Sequence, residues 1–170
     1  MKLLGSSGIL SNTVLTVVCI ACFPANPLVL TGVVEVESYM PLFIIGWAVW
    51  VPGMVLVMAP IVLFPRRGGV DRGKSFVHTT KLVDTGLYAV VRHPQYLGGV
   101  LALFLTTLLW YPHWLFAALG VFGCALLYYG AWGEDKKLVA QFGDDYRVYM
   151  ERVPRMNIAL GIIRWRRNRR

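Results

Sequence analysis

The chain holds 170 residues, 56% of them hydrophobic and 15% charged, with a formal net charge of +8. That is too apolar and too poor in charge for an ordinary soluble domain, and the length suits one domain. The positive balance does not point to nucleic acid, because the basic residues flank apolar runs and so face a membrane surface.

Lys2 is followed by an uncharged stretch from Leu3 to Val34. It is longer than the apolar core of a signal peptide and lacks a clear cleavage site, so it reads as a retained span over residues 9–30. Pro24 and Pro27 kink it or end it early. Cys19 and Cys22 have C-x-x-C spacing inside this run, with no second pair and no nearby His. They read as buried small side chains, not as a metal site or a disulfide framework. Glu35 and Glu37 mark a short polar loop.

Residues 40–64 form a second uncharged run. Its Pro52 and Pro60 are tolerated in a membrane helix, and its Gly46 and Gly53 either let a neighbouring helix approach closely or simply face the bilayer. Residues 65–94 are a polar loop with Arg66, Arg67, Arg72, Lys74, Lys81 and Arg92. Between Arg92 and Glu134 there is no Asp, Glu, Lys or Arg. This run is long enough for two spans, 95–110 and 114–132, turning at Tyr111-Pro112-His113-Trp114. The first of the two is short, which predicts little tilt or a local distortion.

After Glu134 the pattern changes. Leu138, Phe142, Tyr146 and Tyr149 fall on one face of a helix, with Lys136, Lys137, Asp144, Asp145, Arg147 and Glu151 elsewhere. This predicts a C-terminal amphipathic helix, weakened in its middle by Gly143. The tail from Arg164 to Arg170 is basic around Trp165.

The fold class is therefore all-α: an integral membrane helical bundle of about four transmembrane helices plus a C-terminal amphipathic cytosolic helix. Under this arrangement Lys2, the 65–94 loop and the region after residue 134 hold 1, 6 and 10 of the Lys and Arg residues, all 17 of them. The loops at 31–39 and 111–113 hold none. That asymmetry predicts a multi-pass protein with both termini cytosolic.

The polar, motif-rich stretch Leu82–Gly98 stands out among these runs. Gly86 in Asp-Thr-Gly signals a chain reversal. Arg92-His93-Pro94 sets a fixed cation and an imidazole before a proline that biases His93 out of helical dihedrals and suits the first turn of the next helix. Backbone N–H groups at such a helix start favour an anion such as a carboxylate. On residue type alone the stretch reads sooner as a basic anchor meeting lipid headgroups.

Val83-x-x-Gly86-x-Tyr88-x-x-x-Arg92-His93-Pro94-x-Tyr96-x-Gly98 resembles the signature of the isoprenylcysteine carboxyl methyltransferase and phospholipid methyltransferase superfamily. A second block, Glu134-Asp135-x-x-Leu138-x-x-x-Phe142-Gly143-x-x-Tyr146-x-x-Tyr149, is similar to the family's second motif, with Asp135 where the family usually has another glutamate. The resemblance implies S-adenosylmethionine as cofactor, in a site built from residues 80–98 and 134–150. It implies that Leu82, Val83 and Tyr88 line the cofactor pocket, that His93, Pro94, Gln95 and Tyr96 hold the methionine end, and that Glu134 meets the ammonium. No metal is implied.

One position departs from the family. Members that methylate a prenylcysteine carboxylate carry arginine four residues before the first glutamate of the second block, where this chain has Gly130. Arg92 then becomes the candidate catalytic residue, provided it is not already committed elsewhere. The glycine implies space without charge and a less acidic acceptor.

The leading expectation is S-adenosylmethionine-dependent methyl transfer to a membrane-soluble acceptor, lipid-soluble or prenylated, by an isoprenylcysteine carboxyl methyltransferase-like enzyme amid membrane lipids. The alternatives are a phospholipid N-methyltransferase, a nicotinamide-dependent membrane reductase of the sterol-reductase type, which shares an Arg-His-Pro-x-Tyr-like elbow, and a non-catalytic membrane anchor.

Overall fold

The computed structural model describes residues 27–69 and 80–167. Most of the expected span at 9–30, with Cys19 and Cys22, lies outside the described residues, as do Arg72, Lys74, Arg169 and Arg170. Among the described residues there is no strand. The helices are α1 (Pro27–Leu30), α2 (Met40–Arg67), α3 (Pro94–Trp110), α4 (Trp114–Phe142), α5 (Asp144–Arg152) and α6 (Ile158–Arg167), with a 3₁₀ turn at Gly86–Ala89.

Two of these helices, over Met40–Phe64 and Trp114–Phe142, are long and apolar enough to cross a membrane. α2 matches the expected second span and runs three residues past it, to Arg67. α3 starts at Pro94, as the proline at a first helical position predicts, but is too short to count with them. It is also distorted: Val100–Leu105 is wound as a π-helix, which shortens its rise further. Thr106 supports this winding by donating its hydroxyl to the Leu101 carbonyl at 2.9 Å.

The largest correction concerns the second half. α4 does not end at residue 132 but continues unbroken through Glu134 and Asp135 to Phe142. Nothing in Gly133-Glu-Asp-Lys-Lys stops a helix, since Glu and Lys are good helix formers. The break comes at Gly143, whose φ of +61° lies in the left-handed region that only glycine adopts cheaply. α5 starts next, with Asp144 and Asp145 complementing its N-terminal dipole. The amphipathic helix expected after residue 134 is thus the end of α4 plus α5. Ile158–Arg167, which includes the first residues of the basic tail, forms a separate helix, α6, which the sequence reading does not anticipate.

The chain divides into two compact units. The first holds residues up to Met54 and Gly99–Tyr129. Here Gly46 lets α2 close on the Trp110 indole, and a Cβ on Gly53 would lie 2.8 Å from the Ala102 backbone nitrogen. Of the two readings of these glycines, both positions take the close-packing one. Trp110 donates its Nε1–H to the Phe43 carbonyl at 3.0 Å and packs against Phe43 and Trp47.

The second unit holds Val55–Gly98 and Gly130–Arg170. Its core is Tyr146, Tyr149 and Val153, packed with Leu82, Leu138, Val139, Phe142 and Met150. The stripe Leu138, Phe142, Tyr146, Tyr149 therefore survives as one apolar face across the Gly143 break.

Gly53→Leu should lower the thermal unfolding midpoint in detergent, because overpacking of this kind costs about 1–3 kcal/mol. Gly133→Ala, whose new Cβ would meet nothing within 4 Å, should hold or raise it by up to about 1 kcal/mol through helix propensity. An unchanged midpoint for Gly53→Leu would remove the close packing at Ala102.

Candidate functional site

All the chemistry-bearing residues of the two motifs fall in the second unit. The elbow begins where Gly86 takes φ +64°, the reversal expected of Asp-Thr-Gly. Arg67 at the end of α2 steadies it by donating from Nη1 to the Thr85 hydroxyl at 3.2 Å. The 3₁₀ turn then carries Tyr88 inward, and the chain runs without regular structure through Val91 and His93 to α3. His93 is non-helical, as its position before Pro94 requires.

The elbow's backbone is stitched to the segment after α5. Arg92 N–H donates to the Pro154 carbonyl and His93 N–H to the Arg155 carbonyl, each at 3.1 Å. Tyr149 donates its hydroxyl to the Tyr88 carbonyl at 2.7 Å. α6 closes over the same place, with Gly161 set directly against the Val90 carbonyl.

At the centre is Asp135, a carboxylate with a side chain only 5% exposed. Its Oδ1 accepts from Arg92 Nη1 at 3.0 Å, from His93 Nε2 at 2.8 Å and from Tyr146 OH at 2.7 Å. Its Oδ2 accepts from Arg155 Nε at 2.7 Å. With the His93 Nε2–H donating to this carboxylate, Nδ1 is the ring nitrogen turned to Glu134, whose Oε2 lies 3.8 Å away. Burial first, and the Asp135 carboxylate second, push the Tyr146 hydroxyl far above the usual phenol range, so it stays a donor. Burial does the same to Tyr88, with the Glu134 charge adding to it.

Glu134 and Asp135 are adjacent on one helix, so they point about 100° apart. Asp135 ties the elbow to the C-terminal segment. Glu134 instead helps to line a pocket of about 590 Å³, mouth included. Of the sequence-predicted site residues, Leu82, Val83, Tyr88, Arg92, His93, Gln95 and Glu134 all line this pocket. Pro94 and Tyr96 do not. Tyr96 stands edge-on to the His93 ring, with centroids 5.6 Å apart, and covers Gly130. A Cβ on Gly130 would meet Tyr96 Cε1 at 3.1 Å, so the open space expected at Gly130 is filled by a phenol.

Arg92, expected as the catalytic cation, is ion-paired to Asp135 through Nη1. Its Nε is buried and unpartnered, as are Tyr88 OH and Gln95 Oε1. All three residues line the pocket, which also has apolar and aromatic wall from Phe64, Leu138, Phe142 and Tyr149. Buried polar atoms without partners are costly, so two donors and an acceptor at one pocket describe a site shaped for a polar ligand. The apolar wall suits a flat or aliphatic remainder.

Sequence reasoning missed Asp135, Tyr146 and Tyr149 as parts of the site, although each stands in the second motif. The available signal was the Glu-Asp pair, because adjacent acids on a helix cannot serve the same face. Arg155 lies beyond the motif, and no pattern marks it.

A family model described as phospholipid methyltransferase matches residues 41–145, which include the elbow, Glu134 and Asp135. No curated protein and no solved structure matches the chain.

Asp135→Ala should be strongly destabilising, by about 3–5 kcal/mol, because it strips a buried guanidinium of its carboxylate. Amide hydrogen exchange should rise together in residues 88–93 and 144–155. Loss of stability with the exchange of both stretches unchanged would mean that Asp135 does not join them.

Proposed function

Since the chain belongs to the phospholipid methyltransferase family, we propose that it is a membrane methyltransferase that uses S-adenosylmethionine and acts on a lipid-soluble acceptor. The observation that carries the cofactor assignment is the set of three unpartnered buried atoms, Tyr88 OH, Arg92 Nε and Gln95 Oε1, on one pocket with Glu134. They fit an amino-acid zwitterion: the two donors suit its carboxylate, and Gln95 with Glu134 suits its ammonium. The apolar and aromatic wall suits the rest of the cofactor, and the Tyr88 face suits a sulfonium cation.

When bound, S-adenosylmethionine supplies an electrophilic methyl group for in-line displacement. The protein's part is to orient donor and acceptor and to exclude water. Glu134 and His93 hold the methionine end in place, and Arg92, fixed by Asp135, lines the pocket with an Nε–H that has no partner. Arg92 thus assists binding more than it waits for an acceptor, because one of its amino groups is committed to Asp135.

The family match supports methyl transfer over nicotinamide-dependent reduction. For the acceptor, Gly130 overlain by Tyr96 provides no cation, which favours an apolar acceptor without a carboxylate over a prenylcysteine. Arginine introduced at Gly130 must displace the Tyr96 ring before it can serve such a carboxylate.

The topology follows from charge. The one-sided Lys and Arg distribution favours a multi-pass protein with the site and both termini on the cytosolic side. A reporter active only in the cytosol, fused after Arg170, should be active. An inactive reporter on a correctly inserted protein would reverse the orientation.

His93→Ala and Glu134→Ala should each weaken S-adenosylmethionine binding by roughly tenfold to a hundredfold, the cost of a charge-assisted contact in a desolvated pocket. Calorimetric titration in detergent checks this. Unchanged affinity in both folded variants would take these residues out of the donor site.

A further inference from the structure

His93 is 2% exposed, and each of its ring nitrogens faces a carboxylate. The two contacts are unlike. Nε2 lies 2.8 Å from Asp135 Oδ1, a hydrogen bond, whereas Nδ1 lies 3.8 Å from Glu134 Oε2, too far for one. A carboxylate ion-paired with Arg92 and Arg155 can only accept, so the ring carries its hydrogen on Nε2. Nδ1 then holds a lone pair. It and Glu134 Oε2 are two acceptors side by side, which cannot bond each other and are left facing a shared gap.

A third acceptor stands at the same pocket, for Gln95 Oε1 is buried without a hydrogen-bond partner. The unpartnered donors of the pocket are Tyr88 OH and Arg92 Nε–H. A ligand carboxylate therefore has two donors to meet, but none on His93, whose N–H is committed to Asp135. What the His93 side offers is three acceptors and one negative charge. A primary ammonium, with three N–H donors and a positive charge, complements that set. Its nitrogen fits between Nδ1 and Oε2 at about 3 Å from each.

We propose that Asp135 is a positioning residue of the donor pocket: by taking the Nε2–H of His93 it fixes the tautomer in which Nδ1, with Glu134 and Gln95, seats the primary ammonium of the ligand. This rests on the reading of the pocket as a site for S-adenosylmethionine. Asp135 touches no ligand and acts through His93. The seat makes the pocket selective for the charge and the hydrogen count of one nitrogen. A ligand without the amine leaves three acceptors unanswered. An N-methylated amine brings one hydrogen too few and puts a methyl group into the gap.

The test has two arms, both on the full chain in detergent. In the first, NMR of isotope-labelled histidine reads the His93 ring with no ligand present, its signals assigned by their loss in His93→Ala. The wild type should carry hydrogen on Nε2 and none on Nδ1. Asp135→Asn, whose amide can turn an N–H toward the ring, should bring hydrogen onto Nδ1. Hydrogen on Nδ1 in the wild type, or an unchanged ring in the folded variant, would overturn the role of Asp135. In the second arm, calorimetry on the wild type compares S-adenosylhomocysteine with its des-amino and N-methylamino analogues. Each analogue should bind roughly tenfold to a hundredfold more weakly. Equal affinity for all three would overturn the seat and leave the donor reading standing. No binding of S-adenosylhomocysteine itself would overturn the donor reading and the seat with it.

Discussion

The Asp135 carboxylate collects four donors from three separate stretches of chain: Arg92 and His93 in the elbow, Tyr146 on α5, and Arg155 in the segment after it. Taking a carboxylate and the Arg92 guanidinium out of water is expensive, and only dense hydrogen bonding offsets the cost. Here every donor lies within 3.0 Å, and the backbone bonds from Arg92 and His93 to the next segment reinforce the same junction. The consequence is geometric. The elbow is held against the C-terminal half of its unit, and the pocket between their side chains keeps Tyr88 OH, Arg92 Nε and Gln95 Oε1 buried and unpartnered.

This constraint also explains the division of labour within Glu134-Asp135. A helix separates adjacent side chains by about 100°, so one acid is built into the scaffold and the other helps to line the pocket. That division requires α4 to run on past its apolar run. Had the helix ended at residue 132, neither acid would have a fixed direction. The continuation to Phe142 and the glycine break at Gly143 then let α5 turn Tyr146 back toward Asp135.

Much of this was legible in the residues. The uncharged run at 40–64 and the start of a helix at Pro94 follow from composition and proline chemistry, and both stand in the fold. For Gly46 and Gly53 the residues left close packing and a bilayer-facing position open, and only the approach of Trp110 and Ala102 decides for packing. The pocket residues Leu82, Val83, Tyr88, Arg92, His93, Gln95 and Glu134 were legible through motif resemblance. The rest was not, for physical reasons. A helix that passes from apolar to charged residues leaves no local mark, so α4 looked like two elements. The end of α6 reads as basic anchor until Gly161, earlier in the same helix, is seen against Val90. Gly130 looked like empty space because the residue that fills it, Tyr96, is 34 positions away and meets it only through tertiary packing. Arg155 could not be found at all, since its partner is chosen by the fold.

The central claim is that the elbow and the second motif form one S-adenosylmethionine pocket. The most direct test is ultraviolet cross-linking of methyl-labelled S-adenosylmethionine to the purified full chain, with peptide mapping of the label and competition by unlabelled S-adenosylhomocysteine. The account predicts competable label in the peptides covering residues 82–98 and 134–149, the two walls of the pocket. Label confined to other peptides, or label that the competitor does not displace, would contradict it.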